Sequence, residues 1–129
     1  GNMHGGELLK TLDKVAYICA TRYSENYTVT LSVDQVTFKQ SIKIGELLTF
    51  LAKVNYTGRT YMEIGIKVIA ENLQNKIVRH TNTCYFTMVA VNEEGKTVQV
   101  PEFTPKSADE LKRHKAALSR RKARLKNRK

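Results

Sequence analysis

Apolar positions near the start of the chain recur at helical spacing. Leu8, Leu9, Leu12, Val15, Ala16, Cys19 and Ala20 cover one wide arc, with Glu7, Lys10 and Lys14 opposite. This predicts a largely buried helix. Asp13 falls at the border of the arc, beside Leu9, Ala16 and Ala20, so its carboxyl is expected to be at least partly desolvated. Beyond Tyr27 the period becomes two. Residues 28–38 alternate, with Val29, Leu31, Val33 and Val36 among polar neighbours. Residues 47–56 read as a second strand, and residues 60–72 as a third with Met62, Ile64, Ile66 and Val68 on one face. Residues 76–92 form the longest strand. Its 84–91 stretch is apolar on both faces and should be central in the sheet.

The punctuation agrees with these elements. Thr57-Gly58-Arg59 is a tight hairpin connection, and Leu73-Gln74-Asn75 and Asn92-Glu93-Glu94-Gly95 are turns. Ser107-Ala108-Asp109-Glu110 is a capping-box signal for a final helix. Leu111, Leu118 and Leu125 give that helix only a narrow apolar stripe, so weak docking and a frayed end are expected. The sum is an α+β chain: one buried helix, then four long antiparallel strands curved around it, then a basic helix. Exposed sheet edges suggest pairing with a second copy.

At 129 residues the chain suits one domain, 1–105, with a tail at 106–129. The net charge of +10 invites a nucleic-acid partner, but residues 106–129 alone carry +9 and residues 1–105 only +1. No specific nucleic-acid partner is expected, and the tail reads as a solvated basic face or a non-specific anion binder. No apolar run approaches the length of a membrane span, and no basic segment precedes an apolar stretch as in a signal peptide. Two cysteines, Cys19 and Cys84, are too few for a disulfide scaffold; buried free thiols and a cytoplasmic setting follow. No Cys/His spacing suggests a metal.

The candidate chemistry lies at the start. Gly1-Asn2-Met3-His4-Gly5-Gly6 runs straight into the first helix. Free backbone N–H groups and the helix dipole make such an end an anion site, suited to a phosphate or a developing oxyanion. Asp13 adds a base to the same element.

These segments, with Leu8-Leu9-Lys10-Thr11-Leu12-Asp13, Ser32-Val33-Asp34-Gln35-Val36-Thr37-Phe38, Tyr56-Thr57-Gly58-Arg59-Thr60-Tyr61-Met62-Glu63 and His80-Thr81-Asn82-Thr83-Cys84-Tyr85-Phe86, are similar in order and content to the hotdog-fold acyl-CoA thioester hydrolases of the cytosolic type. The resemblance spans nearly all of residues 1–105. It implies a hotdog fold, a functional unit of two hotdogs as a homodimer or trimer of dimers, and hydrolysis of acyl-CoA to CoA and a free acid. Coenzyme A is then part of the substrate, and no separate cofactor is expected. The family's catalytic Asn corresponds to Asn2 and its catalytic Asp to Asp13. Two departures stand out: Gln40-Ser41 where a basic residue and Pro are common, and Tyr61 where Ser is common.

In that reading Asp13 activates water or attacks the thioester carbonyl, Asn2 positions water or carbonyl, and the Gly6 N–H, with His4 and Gly5 nearby, receives the oxyanion. Seven residues separate Gly6 from Asp13, about 10 Å along a helix, too far for both to reach one carbonyl. The site is therefore expected to be shared between subunits. Thr57, Gly58, Arg59, Thr60, Arg79 and His80 are the candidate CoA contacts. The rival reading is a non-catalytic acyl-CoA-binding or regulatory hotdog module, which would have no need of a desolvated acid.

Overall fold

The computed structural model describes residues 5–34 and 41–126. Helix α1 (Gly5–Ser24) is followed by strands β1 (Tyr27–Asp34), β2 (Leu47–Thr57), β3 (Tyr61–Glu71) and β4 (Val78–Val91), then helix α2 (Ala108–Lys126). The four strands form one antiparallel sheet in the order β1-β4-β3-β2. The strand expected to be central, β4, lies between β1 and β3, and β1 and β2 are the edges.

Helix α1 lies on one face of the sheet. Leu8, Leu12, Ala16 and Ala20, spaced every four residues, point onto Met62, Ile64, Ile66 and Val68 of β3 and Cys84, Phe86, Met88 and Ala90 of β4. The two alanines present no bulk, so the helix backbone sits close to the strands. The two flanks of α1 differ. Val15, Cys19 and Tyr23 face β2, and Asp13 and Tyr17 face β1.

β-Bulges break the simple alternation. On β1 the register shifts between Thr30 and Ser32, which puts Leu31 in the extra position and reverses the phase beyond it. Val29 and Val33 therefore do not share a face as the alternation had suggested: Val29 pairs with Val89 and Val33 with the inward Phe86. The Val36 reading lies outside the described residues. A second bulge, between Val54 and Tyr56, delivers Asn55 to the sheet face opposite α1.

Helix α2 crosses that opposite face, and the weak docking expected of it is overturned. Ser107 caps it, its Oγ accepting the Glu110 N–H at 3.1 Å. The helix is anchored by charge rather than by leucine. Arg120 makes two hydrogen bonds to Glu63, at 2.7 and 3.0 Å, and lies 3.5 Å above the Tyr85 ring. Arg124 pairs with Asp34, and Arg121 stacks on Tyr61. The four arginines of α2 are all turned toward the sheet, and its four lysines, Lys112, Lys115, Lys122 and Lys126, are all exposed. The narrow leucine stripe misled because a guanidinium can stack and pair in two directions at once. Burial opposes the charge on Arg120, but the hydrogen bonds and charge of Glu63 prevail and hold its pKa above the usual arginine range.

Candidate active site

The first-turn N–H groups of α1, like those of any helix, lack intrahelical acceptors, and the glycines at its start leave them uncovered by side chains. Gly5 opens the helix, Gly6 is exposed with open space around its Cα, and Glu7 places an acid in the first turn where the dipole favours it. Asn2 and His4 lie outside the described residues. Gly6 and Asp13 belong to one unbroken helix, which fixes their separation at about 10 Å.

Asp13 projects from the β1 flank of α1. Its Oδ1 accepts a hydrogen bond from the Thr30 Oγ1 at 2.6 Å. The same hydroxyl lies 3.4 Å from the Met88 Sδ. It carries a single hydrogen, and the carboxylate is much the stronger acceptor. The expected burial of Asp13 is not found: the residue is exposed in the single chain. The reason is topological. Asp13 lies over β1, an edge strand, and among the described residues nothing beyond that edge covers it. Thr30 escaped the sequence reading because it looked like an ordinary polar residue of an alternating strand. The usable signal was its phase, two residues from Thr28, whose hydroxyl also turns inward to meet Thr21.

Around Asp13 the surface is apolar. Leu9 and Tyr17, one helical turn to either side of it, are exposed, as are Tyr27 and Val33 along β1, whereas the exposed Val29 and Leu31, Leu31 by 65%, turn to the α2 face of that edge. The Tyr17 and Tyr27 rings meet edge to face at 5.8 Å. An unpaired strand edge flanked by apolar side chains is a surface that proteins seldom leave to water.

The remaining candidates do not converge in one chain. Arg59 is exposed at the tip of the β2–β3 hairpin, its carbonyl accepting the Val100 N–H. Its neighbours tie the hairpin together: the Gly58 N–H donates to the Tyr61 carbonyl, the Thr57 Oγ1 accepts the Phe103 N–H, and the Thr60 carbonyl accepts the Ala90 N–H. Arg79 pairs with Ala70 at the far end of β3, so about 30 Å of strand separates it from Arg59. There Arg79 donates to the Glu46 carboxylate at 2.7 Å and to the Ser41 carbonyl. The Lys43 N–H and Arg79 together lower the pKa of Glu46. The His80 ring is engaged with the Asn82 carbonyl and the Thr83 hydroxyl.

A groove of about 650 Å³ runs along the other flank of α1, lined by Val15, Cys19, Phe50 and Phe103, away from Asp13. Cys84 is fully buried in the core, and its thiol is pushed up to about 12 by burial. Burial also raises the Cys19 thiol, with Arg22 opposing. Among the described residues no group of three or more His, Cys, Asp or Glu side chains is placed to hold a metal ion.

A family model, described as the thioesterase superfamily, matches residues 1–76. Protein VdlD of Helicobacter pylori is 57% identical over 122 residues, covering 95% of this chain and 70% of VdlD. The crystal structure of a hexameric acyl-CoA thioesterase superposes with a TM-score of 0.94 at 35% identity, covering 98% of this chain and 81% of the other. The acyl-CoA hydrolase of Staphylococcus aureus, solved with butyryl-coenzyme A, coenzyme A and coenzyme A disulfide, superposes with a TM-score of 0.86 at 33% identity, covering 96% and 77%. Variants of that hydrolase with alanine at an asparagine, an aspartate and a threonine have also been solved. The chain belongs to the thioesterase superfamily. Its fold is the hotdog, with α1 against the sheet and α2 added on the opposite face.

Proposed function

We propose that the protein hydrolyses acyl-CoA thioesters to coenzyme A and a free acid, with Asp13 as the reactive carboxylate. The observation that carries this reading is the exposed Asp13 carboxylate held at 2.6 Å by Thr30, at an unpaired sheet edge. Asp13 acts as general base toward water or as nucleophile toward the carbonyl. Thr30 fixes the rotamer of Asp13 and leaves its second oxygen free for that step. The Gly6 N–H receives the oxyanion.

The named relatives support the substrate class, and the S. aureus hydrolase supports the pair. Its substituted aspartate and threonine stand 17 residues apart, the separation of Asp13 and Thr30. Its substituted asparagine precedes the aspartate by 15 residues, whereas Asn2 precedes Asp13 by 11. That spacing favours Thr30 as the partner of Asp13 and lends none of its support to Asn2.

The 10 Å between Gly6 and Asp13 makes the site a shared one, with Gly5 and Gly6 of one subunit facing Asp13 of another. Pairing of two β1 edges would bury the apolar rim around Asp13 and supply the desolvation that the single chain lacks. Arg59 and Arg79, being at opposite ends of the sheet, would then serve CoA from different subunits rather than as one cluster.

Release of free CoA thiol, measured across acyl-chain lengths for the wild type and Asp13→Ala, tests the reading. Wild-type turnover is expected, with a loss of about 10²–10⁴-fold in the variant. Turnover of no acyl-CoA by the wild type, or undiminished turnover by Asp13→Ala, would overturn it.

A further inference from the structure

On the face of the sheet opposite α1, a cavity of about 460 Å³ opens in the corner between α2 and strands β2, β3 and β4. Four cations line it: Lys53 from β2, Lys67 from β3, and Arg113 and Arg120 from α2, the last already paired with Glu63. Lys53 stands opposite Gly65, and Leu51 opposite Lys67, so the two lysines are diagonal neighbours on the same face, about 7–8 Å apart at Cα. Like charges so placed repel, and Arg113 adds a third from above.

None of Lys53, Lys67 and Arg113 has a carboxylate partner among the described residues. Glu63, on the same sheet face, is occupied: Arg120 holds both of its oxygens, and the Asn55 Nδ2 donates to one of them at 3.0 Å. Glu110, one turn before Arg113, accepts the Lys106 N–H. Among the described residues Lys53, Lys67 and Arg113 therefore face the cavity with no counter-charge, although every other inward arginine of α2 meets a carboxylate or an aromatic ring.

A second feature lies beneath. Asn55, brought in by the β-bulge and only 3% exposed, lines the cavity floor, and its Oδ1 has no hydrogen-bond partner. Gly65 makes this possible, because a Cβ there would meet the Asn55 Nδ2 at 2.4 Å. A buried acceptor without a donor is destabilising, because it has lost its water and gained nothing in return. It is satisfied by a ligand N–H or O–H, or by a water held under a ligand.

We propose that this corner is a binding site for a phosphate ester of a small hydroxylated molecule. The phosphate is held by Lys53, Lys67 and the fork of Arg113, and the hydroxyl-bearing part lies over Gly65 toward Asn55. The sheet separates this site from Asp13, so the site stands independently of the reading of Asp13.

The test is calorimetric titration of the full chain, at low and at physiological salt, with inorganic pyrophosphate and with ADP. Saturable binding of at least one of them is expected, weakened at least tenfold by Lys53→Ala/Lys67→Ala and by Arg113→Ala. The control Lys115→Ala/Lys122→Ala removes the same charge from the outer side of α2 and should leave it unchanged, as should Asp13→Ala. Circular dichroism confirms that each variant is folded. The absence of saturable wild-type binding, or an equal loss in the control, would overturn the proposal by reducing the cavity to part of a diffuse basic surface.

Discussion

Thr30 and Asp13, on different elements and 17 residues apart, meet through a single 2.6 Å hydrogen bond. The bond joins the helix to the edge strand at the one place where an acid of α1 faces the sheet margin. It restricts the carboxylate without burying it, which suits a group that must still reach a substrate.

Removing that hydroxyl should therefore misplace the base rather than unfold the chain. Thr30→Val is expected to lower kcat for acyl-CoA hydrolysis by about 10–100-fold, a fraction of what a positioned general base provides, with little change in KM. Thr30→Ser should recover most of the rate. A serine variant as slow as the valine one would mean that the methyl packing, not the hydrogen bond, is what matters.

The Glu63–Arg120 pair makes the opposite kind of prediction, since it is buried and structural. The Glu63 side chain is only 3% exposed and that of Arg120 14%. Glu63→Gln leaves the guanidinium half-paired beneath α2 and should cost about 3–5 kcal/mol in urea unfolding. Replacing both residues, as Glu63→Leu with Arg120→Met, should cost markedly less than either single change. Additive losses would show that the two side chains act separately.

Cys84 predicts an alkaline weakness. Its folded pKa, near 12, lies above the ordinary thiol value of 9.0 because burial penalises the thiolate. The stability it contributes is fully present below pH 9 and is lost as pH rises from 9 toward 12, since only the unfolded chain releases the proton there. Unfolding free energy of wild type and Cys84→Ala, measured at pH 8, 9 and 10, should converge with rising pH by up to about 1.4 kcal/mol per unit. Parallel curves would exclude the thiol as the cause.

The β1 edge predicts the assembly. Leu31, in the bulge and 65% exposed, lies where a second β1 would pair. Leu31→Lys should shift the protein toward monomer in light scattering at micromolar concentration, and lower hydrolysis with it. An unchanged oligomer would direct attention to another edge.

Sequence alone determined the order of elements, because each was written in local periodicity. The four-residue stripe of Leu8, Leu12, Ala16 and Ala20 made the helix, and the even-numbered apolar positions of residues 62–68 made the inner face of the sheet. Asp13 was legible too, as an acid on an apolar helix within a motif series similar to a known family. Tertiary structure alone decided which partner Asp13 meets, because Thr30 becomes special only when β1 is placed under the helix flank. It also decided that Asp13 is exposed, since local pattern does not say which strand ends the sheet. The docking of α2 was equally hidden. A run of arginines and lysines reads as one solvated charge until the sheet supplies Glu63, Asp34, Tyr85 and Tyr61, which draw the arginines inward and leave the lysines in water. Periodicity is a property of neighbours in the chain, whereas pairing is a property of neighbours in space.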